Sequence, residues 1–100
     1  MNLIDLDKTQ IRTLVEIAQK GGKRRAMWNH RRWNDLERLG LTEVTNRGKV
    51  YHTHRLTSLG IQHVLALPDD YSADFYPLPS DIAHAKRWAR YLRGDVPHKP

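Results

Sequence analysis

The chain alternates short apolar stripes with polar punctuation, and the spacing of the stripes predicts the elements. Ile11, Leu14, Val15, Ile17 and Ala18 recur at helical intervals, which predicts an amphipathic helix from about Asp7 to Lys20. Asp7 suits its N-cap, and Gly21-Gly22 ends it. A second helical stretch is predicted from about Lys23 to Leu39, closed by Gly40, where a left-handed cap costs least. With Leu36 at the centre of the buried face, steps of about 100° per residue bring Leu39, Trp33, Asn29 and Trp28 to that side. The same phase turns Arg31, Asn34 and Arg38 outward. Arg32 is the misfit, because one continuous helix would point it toward the core. The stretch is therefore expected to be two short helices with a turn near Asn29-His30.

The period then changes from helical to alternating. Leu41 to Thr45 predicts a short strand, and Asn46-Arg47-Gly48 a turn with glycine at a positive φ. Lys49 to Leu56 is the return strand. Val50, Tyr51, Thr53 and Thr57 are good strand formers. Thr57 or Ser58 caps a third helix to about Leu67, with Leu59, Val64 and Leu65 inward, and Pro68 stops it. Residues 68–80 predict a loop containing Pro77 and Pro79. Ser80 starts a last helix, Asp81 to Arg93, whose acidic first turn and basic last turn suit the helix dipole. Gly94 ends it, and Val96 to Pro100 reads as a frayed tail.

Length and composition narrow the class. One hundred residues make one domain with one modest core. The absence of cysteine excludes disulfides and thiolate metal sites, and fits a reducing cytosol. No window approaches 18 apolar residues, so no membrane span is expected. The first residues lack the basic-then-apolar layout of a signal peptide, so the expected location is cytoplasmic.

Charge changes the picture more. Residues 1–20 and 61–100 are each electrically balanced. Residues 21–60 hold Lys23, Arg24, Arg25, Arg31, Arg32, Arg38, Arg47, Lys49 and Arg55 against Asp35, Glu37 and Glu43. The chain's whole formal excess of +6 therefore lies in this stretch. A localised basic patch is the footprint of a polyanion binder, because neutralising phosphates releases condensed counterions.

The order helix, short helices, tight basic hairpin, helix carries a further signal. The segment Leu36-Glu37-Arg38-Leu39-Gly40-Leu41, an eight-residue strand, then Arg55-Leu56-Thr57-Ser58-Leu59-Gly60, resembles the winged helix-turn-helix superfamily. It looks most like the small MarR-like regulators and the short versions found in phage genomes. The resemblance covers roughly residues 7–67. It implies an α+β, mostly helical fold: a winged helix with a two-stranded β-hairpin wing and an extra C-terminal helix. Residues 1–67 form the winged-helix part, and residues 68–100 add a loop and a helix packed on the same single domain. One departure stands out. Only about 17 residues separate Gly21-Gly22 from the end of the second stretch. The helix before the recognition helix is therefore expected to be very short or missing.

The resemblance assigns DNA contacts to particular residues. The recognition surface falls on His30, Arg31, Asn34 and Arg38. Arg and Asn make bidentate contacts to guanine and adenine edges in the major groove. Arg47 and Lys49 at the hairpin tip would reach phosphate or the minor groove. Lys23, Arg24 and Arg25 would hold phosphate at the start of the helix. Arg31, Asn34 and Arg38 read equally well as a solvated helix face. Trp28 and Trp33 are expected in the core or at its edge rather than as base-stacking platforms.

Other chemistry is thin. His52 and His54 share a strand face, but no Cys, Asp or Glu pattern completes a zinc or nickel site, so neither metal nor cofactor is expected. No phosphate loop, paired-carboxylate spacing or nucleophile motif suggests an enzyme. The last helix reads as amphipathic packing or as a dimerisation or partner-binding arm, which leaves a homodimer open. The expected function is double-stranded DNA binding, as a small transcriptional regulator or phage accessory factor. The rival is a protein–protein module, inhibitor or adaptor, whose basic face meets an acidic surface on a host or partner protein.

Overall fold

A computed structural model describes residues 3–100. Helix α1 spans Lys8–Gln19. Asp7 accepts from the Gln10 amide while the Gln10 side chain accepts from the Asp7 amide, which closes a capping box. Its stripe is the centre of the core, with Leu14, Val15, Ile17 and Ala18 fully buried.

Gly21 and Gly22 take φ of +85° and +81°, a region that only glycine enters cheaply. They turn the chain into strand β1, Lys23–Met27. The helix expected to start at Lys23 is therefore a strand. Lys, Arg, Ala and Met favour helix when isolated, but such preferences span only about 0.7 kcal/mol per residue. Antiparallel pairing with the third strand, from Lys23 opposite Arg55 to Met27 opposite Tyr51, overrides them.

The break expected near Asn29-His30 is present, as a strand-to-helix turn. The His30 amide donates to the Met27 carbonyl, and helix α2 runs over Arg31–Arg38. Starting the helix at Arg31 frees Arg32, which is exposed, while Trp33 and Leu36 are buried. Trp28 and Asn29, expected on the buried side, are exposed because they belong to the turn and not to a helix.

Strands β2 (Thr42–Arg47) and β3 (Tyr51–Leu56) form the hairpin. The sheet order is β1-β3-β2, antiparallel throughout, with a register shift between Val44 and Asn46. The turn falls at residues 48–50, later than the expected 46–48. Gly48 does not take a positive φ. Glycine is required for a different reason: a Cβ there would lie 2.7 Å from the Tyr51 carbonyl oxygen.

Register fixes which side chains share a face, because cross-strand partners point the same way and neighbours alternate. Ala26, Thr42, His54 and Leu56 lie on the helix side and are buried. Lys23, Arg25, Met27, Tyr51, Arg55 and Glu43 lie on the other face and are exposed.

Helix α3, Ser58–Ala66, is capped by Thr57, whose Oγ1 accepts from the Gly60 amide at 3.1 Å. Val64 is fully buried, and Leu59 and Leu65 pack partly against the core. Helix α4, Pro79–Arg93, starts two residues earlier than expected, after Leu78 and not Ser80, and ends at Gly94 with φ +89°. It packs on α1 and α3 and buries Ile82, Ala85 and Ala89. Lys86 on α4, also buried, donates to Asp69 at 2.6 Å. That bond and the ammonium charge hold the Asp69 carboxyl below its ordinary range. Among the described residues there are thus four helices and one three-stranded antiparallel sheet, an α+β arrangement. No described helix is long and apolar enough to cross a membrane.

Candidate nucleic-acid interface

Eight residues rise about 12 Å, two turns of helix, so α2 presents a short but definite face. Arg31, Asn34 and Arg38 are three and four residues apart and share it. They line one open groove of about 380 Å³ with Trp28 and Asn29. The Asn34 amide nitrogen donates to the Trp28 carbonyl at 3.1 Å. That bond fixes the side chain and leaves its Oδ1 and second N–H free for a ligand. Arg38 pairs with Asp35 one turn back, and Arg31 has no carboxylate partner among the described residues.

The hairpin turn sits beside this groove. The Trp28 amide donates to the Val50 carbonyl at 2.9 Å, which ties the start of the α2 turn to residue 50. Lys49, next to Val50, is exposed and without a carboxylate partner among the described residues. Arg47 behaves otherwise. It closes β2 rather than crowning the tip, and its guanidinium donates to Glu37 on α2 at 2.7 Å. The late turn is the cause, since it places Arg47 within the strand.

His30 is half-buried, not displayed. Its ring meets Trp33 edge-on at 6.4 Å, and its Nδ1 is buried without a hydrogen-bond partner. Trp33 in turn lies 5.4 Å from His54. His54 is fully buried, with Nδ1 3.2 Å from Thr42 Oγ1 and no partner for Nε2. Burial lowers its pKa below 6.5. Nearby His52, Arg47 and His30 lower it further, against the opposing pull of Glu37. His30 and His54 therefore belong to the packing beneath α2. No group of three or more His, Cys, Asp or Glu among the described residues is placed to hold a metal.

The expected phosphate clamp at Lys23, Arg24 and Arg25 is divided by the strand. Arg24 faces the helices and pairs with Glu16. Lys23 and Arg25 lie on the open sheet face, where the Arg25 guanidinium sits 5.4 Å from the centre of the Tyr51 ring. Arg55 on the same face pairs with Glu43.

A separate cleft of about 600 Å³ lies between α1, β1 and α4. Its polar groups largely satisfy one another: Gln19 bonds Asp81, His84 and the Tyr76 hydroxyl. Burial and the Asp81 carboxylate push Tyr76 up to about 12.

The structure thus brings Arg31, Asn34, Arg38 and Lys49 to one side, half-buries His30, turns Arg24 toward Glu16, and leaves Arg47 exposed but paired with Glu37. Trp28, Asn29 and Arg32 join the exposed surface without having been expected there. The only sequence signal for them was the misfit of Arg32. No protein-family model, curated protein or solved structure matches the chain.

Proposed function

We propose that the chain binds double-stranded DNA in the manner of a winged-helix protein, with α2 in the major groove and the β2–β3 turn along the backbone. One observation carries the reading. Arg31, Asn34 and Arg38 share a single groove whose rim is hydrogen-bonded to the turn carrying Lys49. Arg and Asn are the side chains suited to guanine and adenine edges, and Lys49 on the adjoining turn supplies a cation of the kind that meets phosphate. The proposed role is that of a small regulator or accessory factor.

Selection from random duplexes, followed by titration of the preferred site against random DNA, tests it. Arg31→Ala or Asn34→Ala is expected to reduce discrimination by about 1–3 kcal/mol each. A selection that enriches no motif would count against α2 as a reading helix.

A second reading, a module that docks on an acidic protein surface, draws on the exposed apolar residues Met27, Trp28, Val50 and Tyr51. It is expected to give weak duplex binding without a preferred site, and loss of one partner protein in the same variants.

A further inference from the structure

Four exposed apolar residues lie where β1 ends beside the β2–β3 turn. Met27 stands opposite Tyr51 in the β1–β3 register, and the Trp28 amide bonds the Val50 carbonyl one step further on. Trp28 is 53% exposed and Tyr51 is 50% exposed. Trp28 also forms a wall of the groove that Arg31, Asn34 and Arg38 line.

The charges around this corner have one sign. Arg31 in the α2 groove and Lys49 at the adjoining turn have no carboxylate partner among the described residues. The two acids of α2 are engaged: Asp35 pairs with Arg38, and Glu37 with Arg47. An aromatic face with free cations beside it is complementary to a ligand that joins a flat π-surface to negative charge, which is a nucleotide. A base inside an intact duplex is already stacked on both sides and has no face to offer. An unpaired base has one.

We propose that Trp28 is a stacking platform for an unpaired base, so that the protein prefers DNA with a melted or mismatched step over a fully paired duplex. The inference rests on the DNA-binding reading and adds to it the DNA structure that is chosen. Trp28 takes the base, the α2 groove with Arg31 and Asn34 holds its edge, and Lys49 meets the flanking phosphate.

Fluorescence anisotropy with three labelled probes tests it: a paired duplex, the same duplex with a central unpaired bubble, and one of its single strands. Wild-type protein is expected to bind the bubble about tenfold more tightly than the paired duplex, within the range stacking on an aromatic supplies per base. Trp28→Ala should erase that preference, read as the ratio of bubble to paired-duplex affinity within the same variant, while Trp28→Phe should keep most of it. Circular dichroism melts verify that each variant is folded. Equal affinity of wild-type protein for bubble and paired duplex overturns the proposal and leaves duplex binding standing. A preference that survives in Trp28→Ala overturns it too. So does a dimer that Trp28→Ala converts to monomer with DNA preference unaltered, since the corner would then be a contact between copies of this chain. Absence of binding to all three probes at low salt overturns both readings together.

Discussion

At the residue scale, His54 couples the proposed interface to pH. The ring is packed against Trp33 beneath α2, with one nitrogen 3.2 Å from Thr42 Oγ1 and the other unpartnered. Burial disfavours its charged form, so its pKa in the folded protein lies below 6.5. The unfolded chain then binds more protons than the folded one as pH drops below 6.5. The stability that neutral His54 contributes is complete above 6.5 and is lost as pH falls through the folded pKa. Wild-type protein is expected to melt at a lower temperature near pH 5 than at neutral pH, and His54→Gln should show a smaller drop. Equal drops in the two proteins would place the pH dependence on another group. The same scale shows where sequence reading stops. Trp33 was placed correctly because its spacing from Leu36 fits one helical turn. Trp28 was misplaced because the identical logic was extended across a turn that a periodicity count cannot see.

At the scale of elements, caps and breakers were legible and strand register was not. Asp7, Thr57, Gly40 and Gly94 mark helix boundaries because each supplies local chemistry that the backbone needs there. β1 was hidden because Lys23-Arg24-Arg25-Ala26-Met27 carries helix-forming residues, and its strand state comes from β3, some thirty residues on. The turn slipped late because its glycine answers a close approach to Tyr51 and not a positive φ. Gly60 makes the same point with a sign that can be measured. Inside α3, Gly→Ala would ordinarily stabilise by up to about 1 kcal/mol. Here the added Cβ would lie 2.2 Å from the Leu41 carbonyl oxygen, a backbone atom that cannot swing aside. Gly60→Ala is therefore expected to destabilise, by about 1–3 kcal/mol as in other overpacked cores, in a urea unfolding titration. A gain in stability would mean that α3 stands farther from Leu41. On α2, Leu36 has no exposed surface. Leu36→Ala should cost about 2–5 kcal/mol, and a melting temperature near wild type would mean that α2 does not dock through this residue.

At the scale of the whole molecule, the basic stretch supplies less free charge than its count suggests. Arg24, Arg38, Arg47 and Arg55 are each paired with a carboxylate, whereas Lys23, Arg25, Arg31, Arg32 and Lys49 have no such partner among the described residues. These five also face different ways. Lys23 and Arg25 sit on the open sheet face, while Arg31 lies in the α2 groove and Lys49 at the turn beside it. A duplex lying on α2 and the turn therefore meets only part of the excess charge. Each phosphate that a cation neutralises adds about 0.9 to the slope of log K against log salt concentration. With two to four cations engaged, the slope should be about −2 to −4, well short of what nine basic residues acting together would give. Arg31→Ala and Lys49→Ala should each flatten it by about 1. Arg12→Ala is the matched control. It removes an exposed cation from α1, in the cleft that faces α4, and should leave the slope unchanged. Arg47→Ala should have a smaller effect than Lys49→Ala, because Glu37 already neutralises Arg47. Affinity measured across a series of salt concentrations for these four variants decides the matter. If Arg12→Ala flattens the slope as much as Arg31→Ala, the duplex is held by diffuse charge and not by the face that α2 and the turn form together.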